Sequence, residues 1–388
     1  MKNLLNIFLL LSTVFLFTII IGRFLKKIKV PEIFAALLLG LLLSVYNPFS
    51  NATTSPEIIF LAQIGMYLLL FLVGFEINIE QIKSKTMFIL KSTIFIIFLE
   101  GIIGTLFIHF ILGYDFFISF LVALSFATVG EAILIPILDE FKIINTPLGQ
   151  SIIGIGTFDD IIEILLLLIV VFVVGQKVQN QTNLIMMILS LLTIIALFVG
   201  MLKLKKKAQK FGYLKTETMF LFLLFVFFLF IGIGQFADAT PIAALLAGIA
   251  VKKFIPKEKT KIIESELKTI SYGFFAPIFF LWVGISVNFS YLLANPLLVL
   301  LIVLISNGAK LFGSYVITKK ELGSKQSILL GIGLSVRFST SIIIVKILFE
   351  NNLIGSDLYS LIVASSIAFK FIVPLLFSTL ITKWKIQQ

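Results

Sequence analysis

The chain has 388 residues, 59% of them hydrophobic and only 13% charged, with a net charge of +11. Soluble globular domains carry about 25% charged residues, so a water-soluble fold and a nucleic-acid-binding patch on such a fold are both excluded as readings of the excess charge. The absence of Cys and the presence of one His, His109, remove disulfides, thiolate chemistry and most zinc or haem sites, and no cofactor is expected.

Apolar runs of membrane-spanning length recur along the whole chain. The first, 4–24, runs into Arg23, Lys26, Lys27 and Lys29 instead of a small-residue cleavage site, which marks a retained helix. Further spans are expected near 31–47, 57–75, 86–112, 116–138, 147–175, 183–202, 216–235, 238–254, 268–288, 294–318, 326–350 and 357–381. The expected fold is thus an all-α polytopic membrane protein of about 13 transmembrane helices. Basic residues fall in alternate loops: Arg23 to Lys29, Lys83 to Lys91, Lys142, Lys203 to Lys215, Lys252 to Lys268, Lys319 to Lys325, then Lys383 and Lys385. The opposite loops hold only Lys2 and Lys177. That asymmetry predicts an N-terminus outside and a C-terminus in the cytoplasm of a cell-membrane protein.

The chain reads as one transmembrane domain, 1–388, in three parts. A first repeat over 1–182 and a second over 216–388 flank a linker helix and basic loop at 183–215. With six spans on each side of one linker, corresponding helices run in opposite directions, the inverted-topology design common among transporters. No cytosolic regulatory domain is expected after the last span.

A charge at the bilayer centre costs about 3 kcal/mol on insertion scales, so ionisable residues inside these spans need a reason. Span six carries Asp159 and Asp160 about twelve residues from its cytoplasmic end; neighbouring helix positions point about 100° apart. One carboxylate can therefore meet a fixed partner while the other faces water. Lys310, in span eleven at a matching depth, is the natural partner. Spans five (Ser125, Thr128, Gly130, Glu131, Pro136) and twelve (Gly331, Gly333, Ser335, Arg337, Ser339, Thr340, Ser341) are poor continuous helices. An interruption there would present backbone carbonyls to an ion, with Thr128 as a further ligand, and Glu131 and Arg337 are expected to pair across the crossing. Glu100, Glu163, Lys346, Lys370 and His109 are also ionisable and receive no role; Glu163 and Lys370 are a candidate structural pair.

At these residues the chain resembles the monovalent cation:proton antiporter superfamily, in its branch with a double aspartate and an inverted-repeat fold. The similarity runs nearly end to end. It is strongest in Asn145, Thr146, Pro147, Leu148, Gly149 and Gln150 leading into Asp159 and Asp160, then in Phe275 to Val287 around Pro277 and Gly284, then around Lys310. The resemblance implies that Asp160 binds the ion, that Asp159 pairs with Lys310, that spans five and twelve are crossing broken helices, and that the protein is a homodimer with a mobile core. Val336, Arg337, Phe338 and Ser339 stand where many relatives carry Pro-Arg-Gly-Glu, so only the Arg carries over.

The expected activity is transport, not enzymatic catalysis: electrogenic exchange of sodium or lithium for protons by alternating access, with sodium and proton competing for Asp160. Potassium/proton exchange is the nearest alternative. A sodium-coupled organic anion symporter would need a further substrate cavity. A membrane-embedded metal-dependent transferase would need its acids at headgroup level, and a nonselective channel would have little use for paired buried charges. The expected partners are a monovalent cation, protons and the lipid bilayer, with no nucleic acid.

Overall fold

A computed structural model of the chain describes residues 2–27, 30–76, 87–129, 138, 141–177, 184–208, 215–236, 239–336 and 339–384. Among these residues the regular structure is helical, with no strand, because a chain in lipid must satisfy each backbone N–H and C=O within its own segment. In chain order the helices are α1 (Lys2–Lys27), α2 (Phe34–Val45), α3 (Ser50–Thr53), α4 (Pro56–Glu76), α5 (Met87–Leu112), α6 (Phe116–Ala127), α7 (Pro147–Lys177) and α8 (Leu184–Ala208). There follow α9 (Thr216–Gln235), α10 (Thr240–Phe254), α11 (Lys257–Ile270), a π-helical turn (Ser271–Phe275), α12 (Ala276–Ile285), α13 (Phe289–Ala294), α14 (Pro296–Leu334), α15 (Ser339–Glu350) and α16 (Ser356–Trp384). Seven of the described helical segments are long and apolar enough to cross a membrane, and Phe34–Val45, Phe116–Ala127 and Leu189–Lys203 are shorter apolar helices. The expected all-α polytopic membrane fold is what the structure has.

Helix starts follow local chemistry. Pro56, Pro147 and Pro296 open α4, α7 and α14, where the missing N–H would have no partner in any case. The Asp115 carboxylate accepts from the Phe117 N–H at 2.9 Å and caps α6. The basic stretch 252–268 is not the loop that its lysines predict, since α11 occupies most of it and leads directly into the π turn and α12. Glu264 and Lys268, one turn apart, pair at 2.6 Å and support that helix.

α14 is a helical hairpin. At Gly323 the backbone takes φ 73° and ψ 168°, a conformation open in practice to glycine alone. The Thr318 hydroxyl donates to the Ser327 hydroxyl at 2.8 Å; nine residues of straight helix would span about 13.5 Å, so the chain doubles back. Span eleven is its first arm, and the first part of span twelve, up to Leu334, is its second.

The chain forms two compact units. One comprises Met1–Val14, Phe49–Asn78 and Leu167–Trp282. Within it α4 packs on α10, and Phe71 meets Phe227 of α9 edge-on at 5.4 Å. Phe227 and Phe230 are buried while Leu221, Phe225 and Phe228 stand exposed, the pattern of a helix with one face in a bundle and one in lipid. The other unit comprises Phe15–Pro48, Ile79–Leu166 and Val283–Gln388. In it α5 packs against α6 and α14, and α14 against α16; Phe126 and Phe369 join α6 to α16 by a ring contact at 5.9 Å. The described candidate site residues, Thr128, Asp159 and Lys310, fall in this second unit.

Candidate functional site

Two helices stop in mid-bundle. α6 ends at Ala127, where Thr128 turns extended at φ −70° and ψ 159°; the second arm of α14 ends at Leu334, and α15 begins at Ser339. Each ending leaves carbonyls without an intrahelical donor and concentrates partial negative charge there. Lys310, on the first arm of α14 and with no exposed surface, answers both. Its ammonium donates to the Leu334 carbonyl at 2.6 Å and to the Thr128 carbonyl at 3.3 Å. The arms of the hairpin approach closely at this level, because a Cβ at Gly331 would lie 2.9 Å from Leu311 Cα and 3.2 Å from the Lys310 carbonyl oxygen.

Asp159, on α7 and fully buried, accepts a hydrogen bond from the Val129 N–H. That N–H and the Thr128 carbonyl belong to the same trans peptide. The Thr128 hydroxyl donates to the Ser125 carbonyl or to the Ser341 hydroxyl, at 3.0 and 2.7 Å. Since Ser341 lies in the first turn of α15, this one side chain joins the break in α6 to the helix that resumes after the break in span twelve.

A third acid completes the cluster. Glu100, on α5 and buried, approaches the Lys310 ammonium at 3.4 Å through Oε2, while its Oε1 accepts from the Ser306 hydroxyl. Ser306 and Lys310 are one turn apart on α14, so a single helical face holds both oxygens. Beside them opens a cavity of about 30 Å³, walled by Phe107, Val122, Phe126 and Ile302 with Glu100 and Ser306 as its polar groups. A water needs roughly 10–15 Å³ of such space, so one or two fit.

The structure therefore gathers Asp159, Lys310 and Thr128 around the Thr128–Val129 peptide. Asp160 follows Asp159 on α7, but its side chain lies outside the described residues, as do Glu131, Arg337 and the side chain of Glu163. Lys370 sits with its ammonium 3.2 Å from the centre of the Phe34 ring, a cation–π contact. His109 meets the Tyr114 carbonyl through Nδ1 at 2.7 Å at the end of α5. Lys346 pairs with Glu350 at 2.7 Å and donates to the Ser286 hydroxyl at 2.7 Å. The residues that sequence reasoning left without a role, and that the structure brings to the site, are Glu100, Ser306 and Ser341. Depth was the available signal for the first: Glu100 stands 13 residues past Met87, and Asp159 stands 12 past Pro147, at the starts of their helices.

The chain is similar to known proteins along nearly its whole length. The chain is 31% identical over 379 residues to a probable Na(+)/H(+) antiporter 3 of Methanocaldococcus jannaschii, covering 95% of this chain and 94% of that one. It is 26% identical over 366 residues to a Na(+)/H(+) antiporter of Enterococcus hirae, covering 90% and 92%. Among solved structures, the sodium proton antiporter MjNhaP1 of M. jannaschii superposes with a TM-score of 0.62 over 99% of this chain and 97% of its own, at 16% identity, which is a likeness of fold. The family described as sodium/hydrogen exchanger, transmembrane, matches residues 11–383. With spans interrupted around a buried lysine and aspartate, and a family match over nearly its whole length, this chain belongs to the sodium/hydrogen exchanger transmembrane family.

Proposed function

We propose that this protein exchanges sodium, or lithium, for protons across the cell membrane by alternating access, with cation and proton competing for Asp160. The observation that carries the reading is the arrangement around one peptide: a buried carboxylate, a buried ammonium and a hydroxyl meet where two helices are interrupted. A dehydrated monovalent cation needs several oxygen ligands and little net charge. Carboxylate, hydroxyl and backbone carbonyl oxygens at a helix break supply that chemistry. In this reading Asp160 takes the cation or the proton, Thr128 adds an oxygen, and Asp159 is balanced by Lys310. The Glu131–Arg337 pair steadies the crossing.

The charge count makes exchange electrogenic if two protons are released for each sodium bound. The chain comprises repeats at 1–182 and 216–388 linked through 183–215, and one helical bundle rocks against the other. The functional form is a homodimer with its N-terminus outside and its C-terminus in the cytoplasm.

Proteoliposomes with an internal pH probe test the proposal. Addition of sodium or lithium should drive proton movement in the parent, faster when a membrane potential favours net charge transfer, and Asp160→Asn should abolish it. A parent that responds to potassium alone would replace sodium by potassium in the same mechanism. An Asp160→Asn variant with the parental rate would end the assignment.

A further inference from the structure

Lys310 has more acid around it than a single aspartate supplies. Glu100 reaches its ammonium at 3.4 Å and is oriented for that contact by Ser306, one turn earlier on the same helix as Lys310. Lys310 is the charged group that faces Glu100 from α14. Around the adjoining cavity α6 contributes Val122, Ala123 and Phe126, and α16 contributes Leu358 and Ile362, all apolar. Asp159, meanwhile, accepts from the Val129 N–H on the far end of the peptide whose carbonyl Lys310 holds. An ammonium in this setting cannot be left with carbonyls alone, because an uncompensated buried charge is strongly unfavourable. If Asp159 is to take part in binding the cation, something else must balance Lys310 while it does so.

We infer that Glu100 is the second carboxylate between which Lys310 is shared, a positioning residue that releases Asp159 to the cation half of the cycle. In the cation-bound half Lys310 leans on Glu100, and Asp159 contributes its charge to the ion. When the cation leaves, Lys310 engages Asp159, and Glu100 keeps its hydrogen bond from Ser306 with water in the adjoining cavity as a further donor. The inference rests on the antiport reading given above and adds to it a residue and a division of labour.

Sodium affinity, read in detergent from the sodium-dependent rise of the melting midpoint, tests this independently of turnover. Glu100→Gln should weaken apparent sodium affinity at least tenfold, because Lys310 then claims Asp159 permanently, and should lower the maximal exchange rate in proteoliposomes by less than threefold. Glu100→Asp should recover part of the affinity. On a Lys310→Gln background, adding Glu100→Gln should change sodium affinity by less than twofold, since the group through which Glu100 acts is gone. That pair of variants also removes the unbalanced charge and serves if the single Glu100→Gln protein does not fold. Unchanged affinity in Glu100→Gln, or an equal loss on both backgrounds, would overturn the inference. A parent that moves no protons on sodium addition would overturn the antiport reading instead, and that is seen before any variant is compared.

Discussion

Lys310 and Asp159 hold opposite ends of a single peptide group, the ammonium at the Thr128 carbonyl and the carboxylate at the Val129 N–H. The peptide dipole is thereby aligned between a positive and a negative charge, and any shift of either side chain is felt by the other through four backbone atoms. The break in α6 is what makes this possible, because inside a helix both groups would be spent on neighbouring turns.

Removing the lysine should be costly. Lys310→Met leaves Glu100 and the Leu334 and Thr128 carbonyls without their shared donor, and breaking a buried pair costs about 3–5 kcal/mol. The expected result is a clear fall in the melting midpoint in detergent, recovered in part by adding Glu100→Gln. A variant that melts with the parent would show that the ammonium contributes nothing to holding the two helix ends.

Thr128→Val removes the hydroxyl between Ser125 and Ser341 with little change of shape. A buried hydrogen bond contributes about 1 kcal/mol, so a loss of about fivefold in sodium affinity is expected. Ser341→Ala should give a similar loss, and the two together should cost less than the sum, since they share one bond. Strict additivity would place them at separate points of the mechanism.

Gly331→Val forces a branched side chain into the seam between the hairpin arms, where even a Cβ would lie 2.9 Å from Leu311 Cα. Overpacking of this kind costs about 1–3 kcal/mol, and the displacement falls on the helix that carries Lys310. Exchange per folded molecule should drop at least tenfold, measured in proteoliposomes against protein quantified by size-exclusion chromatography.

Gly323→Ala is the contrasting case. At φ 73° and ψ 168° an added Cβ costs about 1–3 kcal/mol, yet nothing lies within 4 Å of it and the site is several turns away. Lower stability with parental exchange per folded molecule is expected. Loss of exchange at unchanged stability would mean that the turn itself takes part in transport.

Much of this site is legible in the sequence because polar residues are so rare in its spans. Asp159, Lys310 and Thr128 stand out from apolar neighbours, and their depths agree when counted from the basic loops. The direction in which a side chain points is harder to read. Glu100 has the right depth, but a nearly uniform apolar helix such as α5 offers no second polar stripe to orient it, and its contact with Lys310 appears only once α5 and α14 are packed. Two of the lysine's acceptors, the Thr128 and Leu334 carbonyls, are backbone atoms that no residue letter marks. They are foreshadowed only by the weak helix signals around Gly130 and Gly333. The stretch at Lys257–Ile270 misled for the opposite reason: its charge reads as loop, while its Glu and Lys residues spaced one turn apart favour a helix with one wet face.

The reversal at Gly323 also bears on how the chain enters the bilayer. Lys319, Lys320 and Lys325 crowd around the bend, and a tip so charged resists passage through hydrocarbon. The bend is thus held at the membrane surface while the arms on either side, tied by the Thr318 and Ser327 hydroxyls, enter the hydrocarbon and set the depth at which Lys310 meets the Leu334 carbonyl.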